Sequence, residues 1–341
     1  MNLNIKHALV TATIFTAAFN AQASDTVRVF FLAGQSNMQG HGQLEIGHDG
    51  IAGAEGSLRY EVNNDPTHYG HLVDGGGNWV TRSDVWVWNR NGTTDSTGDL
   101  GVTFGVNSNK FGPELGIGHV LGDYYDDQVV LIKTAWGGKS LAVDFRPPSA
   151  VADRGGTLGA HYTLMVNSMN EALADVATQF AGKTIEIEGL AWHQGWNDRG
   201  NDARVAEYED NLNDMIADLR SELSTPDLKV VIGTTSMGQE WHYNPAFYGT
   251  NDTARRAQDL VAAQENVGAA DALAETVNTL PFFRDQHVSP ANEPHHWYEN
   301  GESYYLVGES MGEAMVALVP EPSSLMLFAL GGMAMMRRRR P

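Results

Sequence analysis

The 341-residue chain carries 22 Lys and Arg against 42 Asp and Glu, a formal charge of -20, and contains no cysteine. That balance is unsuited to nucleic acid or an anionic membrane surface, which need a basic patch, and the missing cysteines exclude disulfide scaffolds, cysteine-ligated metals and thiol nucleophiles. A hydrophobic fraction of 42% fits a folded core, and the length allows one large domain or two small ones.

From the N-terminus, residues 1–23 read as a secretory signal. Lys6 supplies the positive start, Ala8 to Phe19 an apolar run, and Ala21-Gln22-Ala23 a small-residue cleavage site. Val27 to Leu32 is a β-branched and aromatic run ending in Ala33-Gly34, the pattern of a buried strand. The Gly-, Asn- and Asp-rich excursion from Gly40 to Asn109 shows short apolar pieces such as Trp86-Val87-Trp88 but no sustained period. It is expected to form loops and short strands. Phe111-Gly112-Pro113-Glu114 then opens a helix, with proline and an early acid in its first turn.

Val129 to Ala135, Ile185 to Trp192 and Leu228 to Gly233 read as further buried strands, and Glu275 to Leu280 as a weaker one. Helical spacing covers Thr163 to Phe180, Arg204 to Leu223, Ala254 to Gln264 and Tyr304 to Leu318. Strands separated by helices predict an α/β fold with a parallel sheet covered on both faces. No repeat or Pro/Ser linker interrupts residues 24–319. One α/β domain with an insertion at about 40–110 is the economical expectation. At the far end, Pro320-Glu321-Pro322 precedes an apolar run from Leu325 to Met336 and then Arg337 to Arg340. The run is shorter than the ~20 residues that span a bilayer comfortably. Without Lys6, Glu321 and those four arginines, 17 basic and 41 acidic residues remain, a charge of -24.

In parallel sheets ligands bind beyond the carboxyl ends of the strands. There the chain places Gly34-Gln35-Ser36-Asn37-Met38, Trp136-Gly137-Gly138-Lys139-Ser140 and His193-Gln194-Gly195-Trp196-Asn197-Asp198. Before the last helix it adds Glu293-Pro294-His295-His296-Trp297. Such parts support acyl transfer: a serine on a strand-to-helix turn, a histidine to take its proton, and amide donors for the oxyanion. Ser36 in such a turn has the alternative role of helix N-cap, and Gly137 and Gly138 that of a tight turn. His193 reads as a packing or supporting histidine. The twelve histidines form no H-x-H or H-E-x-x-H set, so no catalytic metal and no cofactor is expected. A calcium site in the Asp-rich stretch Asn89 to Asp99 stays open, although its spacing does not fit an EF-hand.

The blocks G-Q-S-N-M (34–38), F-G-P-E (111–114), G-G (137–138) and W-H-Q-G (192–195), with the late His296, resemble the SGNH-type hydrolases. The nearest branch is the sialate O-acetylesterase and carbohydrate esterase family 6 group. The resemblance implies a three-layer α/β/α sandwich with a flavodoxin-like sheet and metal-free removal of O-acetyl groups from carbohydrates. It makes Ser36 the nucleophile, flanked by Gln35 and Asn37, and His296 the base. Gly137 or Gly138 would donate to the oxyanion, joined by Gln194, while Glu114 braces the Ser36 loop. The family's D-x-x-H and Q-G-E-x-D are here Glu293 to His296 and Q-G-W-N-D, so the acid stays open between Asp198, which is preferred, and Glu293, with Asp285 a weaker third. The departure at Trp196 also keeps a non-catalytic glycan-binding protein as the alternative.

The tail from Pro320 resembles the PEP-CTERM sorting signal of Gram-negative bacteria, which implies handling by signal peptidase and an exosortase-like enzyme. The expected location is secreted, periplasmic or cell-surface. The expected partner is an acetylated carbohydrate or polysaccharide, and the sequence leaves the oligomeric state open.

Overall fold

Val27, Val29, Phe31 and Ala33 belong to one apolar cluster and Phe30 and Leu32 to another, and all six are buried. This two-residue period on a wholly apolar strand requires cover on both sides. The computed structural model describes residues 25–90, 95–238 and 240–319; the expected signal at 1–23 and sorting tail at 320–341 lie outside the described residues.

The main sheet has seven strands: β1 (Thr26–Gly34), β2 (Arg82–Arg90), β3 (Ser96–Leu100), β4 (Gln128–Ala135), β5 (Thr184–His193), β6 (Lys229–Gly233) and β7 (Ala274–Val277). Their spatial order is β3-β2-β4-β1-β5-β6-β7, parallel throughout except for the β2–β3 pair. Leaving β2 and β3 aside, the remaining five strands run second-first-third-fourth-fifth, the flavodoxin-like order. The chain therefore reverses direction across the sheet beside β1, which opens a crevice at the carboxyl end of that strand.

Helices α1 (Ser36–Gln39), α2 (Glu114–Tyr124), α3 (Ala160–Gln179), α4 (Tyr208–Glu222), α5 (Asp252–Ala270) and α6 (Gly301–Leu318) complete the frame. Helices α3, α4 and α5 bury Met165, Leu212 and Leu260 on the Phe31 side. Helices α2 and α6 bury Leu115 and Met311 on the Phe30 side. The result is the expected three-layer sandwich. No helix among the described residues is long and apolar enough to cross a membrane.

The excursion at 40–109 is more ordered than its sequence suggests. Its strand β2 runs nine residues and joins the main sheet beside β4. Val85 and Val87 enter one core while Trp88 enters the other, so neither face shows the polar alternation that marks a half-exposed strand. Gly42–Gln43 pairs with Lys110–Phe111 in a small second sheet, and helix Leu58–Asn64 buries Leu58 and Val62 on the α6 side. The helix read from Arg204 to Leu223 is divided, with Asp202–Ala206 preceding α4.

Candidate active site

Strand β1 ends at Gly34, whose backbone lies so close to β5 that an added Cβ would sit 2.2 Å from the His193 carbonyl oxygen. The chain then turns into α1. Gln35 occupies the N-cap without a side-chain capping bond, and Ser36 is the first helical residue. Ser36 is therefore not the N-cap, and its side chain carries none of that duty.

Its two neighbours join it to the other blocks. Gln35 Oε1 accepts from Gly195 N at 3.1 Å and Asn197 N at 3.3 Å, which ties the β1 turn to the β5 loop. Asn37 Nδ2 donates to the His295 carbonyl at 2.9 Å, and its Oδ1 accepts from Tyr304 OH at 2.6 Å. One flank thus holds the β5 loop and the other the His295–His296 segment, with Ser36 between them.

Beneath α1 lies a buried ion pair. Lys133 and Glu114 are fully inaccessible, with Nζ 2.6 Å from Oε2. Lys133 Nζ also donates to the carbonyls of Gln39 and Phe104, each at 2.8 Å, and Glu114 Oε1 accepts from Gly112 N at 2.8 Å. Glu114 therefore reaches α1 through Lys133. Burial pushes the Lys133 ammonium down from its usual range, with Glu114 opposing. A lysine inside the apolar VVLIKTA strand has no sequence signal separating it from a surface lysine.

Loops after β1, β4 and β5 and the segment before α6 enclose a cleft of about 550 Å³. Ser36, Gly137, Gly138, Asn197, His295 and His296 all line it. A Cβ placed on Gly137 would lie 3.7 Å from Ser36 Cβ, so this glycine packs directly beside the serine. Among the described residues the backbone N–H groups of Ser36 and Gly137 meet no acceptor, which leaves them for a ligand oxygen. Gly138 has a φ of 71°, a left-handed value that favours glycine.

Gln194 is placed differently from its expected oxyanion role. It is 1% exposed and does not line the cleft. Its amide donates to Asp198 Oδ2 at 2.7 Å, the Lys139 carbonyl at 2.9 Å and Gln35 Oε1 at 3.2 Å, while Oε1 accepts from Tyr208 OH at 3.0 Å. These bonds turn its donors under the β4 loop. The side-chain amide that does line the cleft is Asn197, whose Nδ2 donates to the Gly138 carbonyl. It stood unnoticed inside the H-Q-G-W-N-D block.

The two main candidate acids, Asp198 and Glu293, have different surroundings. Asp198 is fully buried and accepts from Leu141 N at 2.8 Å and Ala142 N at 2.9 Å, besides Gln194. Burial raises its pKa and these three donors oppose the rise. It anchors the loop that carries Gly137. Glu293 instead meets His296, with Oε2 2.8 Å from its Nδ1. That contact leaves Nε2 of His296 for a substrate-side hydroxyl. Asp285 is exposed and outside the cleft lining. Burial, the charge of His41 and that of His295 lower the His296 pKa to about 4, against the pull of Glu293.

His193 is buried beside the site, with Nδ1 3.0 Å from the Gly233 carbonyl, and burial lowers its pKa to about 4. It packs under the β5 turn outside the cleft lining. Trp196, where a carboxylate was expected, forms cleft wall, with the Arg199 guanidinium 3.2 Å from its ring centroid. His41 also lines the cleft and had no sequence motif to mark it.

Directly after His296, Trp297, Tyr298 and Glu299 take φ values of 53°, 54° and 60°. Three successive side-chain-bearing residues in the left-handed region cost roughly 1–2 kcal/mol each. Burial of Trp297 and Tyr298 offsets that cost.

The family profile described as carbohydrate esterase, sialic acid-specific acetylesterase matches residues 26–317. The PEP-CTERM protein-sorting motif matches residues 318–340. Among solved structures, a protein from Arabidopsis thaliana is similar with a TM-score of 0.53 at 15% identity, over 85% of this chain and 98% of its own. The structure of NanS is similar with a TM-score of 0.52 at 14% identity, over 87% of this chain and 98% of its own. At such identities the likeness is one of fold. No curated protein matches the chain.

Proposed function

We propose, from the premise that this chain belongs to the carbohydrate esterase family of sialic acid-specific acetylesterases, that it removes O-acetyl groups from carbohydrates through a serine-bound acetyl intermediate. One observation carries the reading: Ser36 shares a cleft with His296, whose far nitrogen is held by Glu293. His296 Nε2 takes the Ser36 proton as Oγ attacks the acetyl carbonyl. The N–H groups of Ser36 and Gly137 and the amide of Asn197 receive the oxyanion, the last in the role expected of Gln194. His296 then protonates the departing sugar oxygen, and water enters by the reverse path to release acetate.

Residues 24–319 form the working unit in this reading, with 1–23 and 320–341 serving export. The sorting motif indicates export to the cell envelope of a Gram-negative bacterium. The decisive experiment is acetate release across acetylated glycans beside Ser36→Ala. Saturable glycan binding with no hydrolysis in the parent protein would select the non-catalytic alternative.

Glu293→Gln keeps the size of the side chain but loses the charge that favours an imidazolium. We expect kcat/KM to fall by tenfold or more, on the order of the ~1.5–3 kcal/mol carried by a charged hydrogen bond. Asp198→Asn should instead appear chiefly as a lower unfolding midpoint. Equal kcat/KM in Glu293→Gln and the parent would remove Glu293 from the mechanism.

The sialate part of the reading rests on cleft charge. Although the chain is strongly acidic, among the described residues no Asp or Glu lines the cleft, whereas Lys139 does, 3.8 Å from Asp144. An acidic acetylated sugar fits such a wall. Lys139→Ala is expected to raise KM about tenfold for an acetylated acidic sugar and to leave a neutral acetylated sugar within about twofold. Equal changes for both sugars would count against an acidic substrate.

A further inference from the structure

The rings of His41 and His296 are stacked, with centroids 3.8 Å apart and planes 15° from parallel. His41 enters from the loop preceding the small second sheet, not from the base's own segment. On its other side stands Glu299, with Oε1 3.9 Å from His41 Nδ1, an ion-pair rather than hydrogen-bond distance. The Glu299 carboxylate is itself fixed by Lys110 Nζ and by Gln43 Nε2 at 2.9 Å, both from the small sheet. A carboxylate held in this way stays ionised and sets a negative charge beside the His41 ring.

We infer that His41 is a positioning residue for the base: held by Glu299 and stacked on His296, it fixes that ring and resists the arrival of a second positive charge. The inference rests on the reading of His296 as the base. Two imidazolium rings at stacking distance repel each other, so a proton resident on His41 discourages one on His296. The other groups facing His296 are Glu293 on Nδ1 and His295, whose ring centroid is 4.0 Å away. Glu299 and Lys110 lie beyond His41, and Arg199 acts on His295. Glu293 favours a proton on the base, whereas His41 opposes it, in line with the low His296 pKa described above. Burial opposes ionisation of Glu299, but His41, Lys110 and Gln43 together hold its pKa down at about 2. Glu299 therefore stays ionised beside His41 across ordinary acid conditions.

The sign follows directly. A general base works unprotonated, so the acid limb of kcat/KM follows its pKa, and removing a neighbouring positive charge moves that limb upward. The test is acetate release from pH 4 to 9 in the full-length protein, in His41→Phe and in His41→Gln. Phe keeps a ring without charge and Gln keeps polarity without charge, so a shared effect reports the charge. Expected is a loss roughly five- to tenfold larger at pH 4.5 than at pH 8 in both variants. A loss equal at all pH values, or an unmoved acid limb in whichever variant folds, overturns the inference and leaves the esterase reading intact. Full activity in Ser36→Ala overturns the esterase reading itself, so the two failures are distinguishable.

Discussion

Ser36→Ala is expected to lower acetate release by at least about a thousandfold, since removing a nucleophile from a serine–histidine system leaves only binding and oxyanion stabilisation. The fold should scarcely notice. The hydroxyl is not a helix cap, and the residues that join α1 to the rest of the site are Gln35 and Asn37. The N–H of residue 36 survives the substitution, so the oxyanion site keeps all three of its proposed donors. Thermal unfolding should shift by no more than about 2 °C, as for a substitution that breaks no buried bond. A large loss of stability with proportionate loss of activity would mean that Ser36 is structural. Retained activity would refute it as the nucleophile.

The second large effect concerns stability. Lys133→Met should cost about 3–5 kcal/mol, the penalty for leaving one partner of a buried ion pair uncompensated. The loss extends beyond Glu114, because Lys133 Nζ also satisfies the carbonyls of Gln39 and Phe104. Gln39 closes α1 three residues after the serine. Turnover is therefore expected to fall along with the denaturant midpoint. Combining Lys133→Met with Glu114→Leu removes both charges, and should recover part of the stability, though not the tether to α1. Urea unfolding of the single and double variants measures the stability change, and acetate release measures the tether. A single variant as stable as the parent would show that the buried pair does not hold this layer together.

The sequence exposes the parts of this molecule that burial determines. Strands β1 and β4 and the second half of β5 are buried and largely apolar on both faces and sit at the centre of the sheet, so their residues announce them. The loops that follow stand out because glycines and polar residues interrupt apolar runs. Strand β2 shares the same apolar character but was obscured by its setting in a Gly- and Asn-rich excursion. Side-chain direction was not legible at all. Gln194 and Asn197 carry the same amide three residues apart, and only the turn after β5 decides which faces the cleft. Asp198 and Glu293 were separable only by the three donors that occupy the one and the imidazole that meets the other. His41 and Lys133 belong to no motif. Their roles arise from contacts with residues far away in the chain.

The left-handed run Trp297–Glu299 bears on whether the base could be moved to another protein. Those three backbones are not locally preferred; they persist because Trp297 fills a core and Glu299 is gripped by Lys110 and Gln43, nearly two hundred residues or more upstream. A graft of residues 293–299 onto a foreign scaffold would carry the histidine and its glutamate, yet not the forces that aim them. The segment is therefore not a portable module. It is a property of the whole sandwich together with its long excursion, and any transplant of this chemistry has to take both.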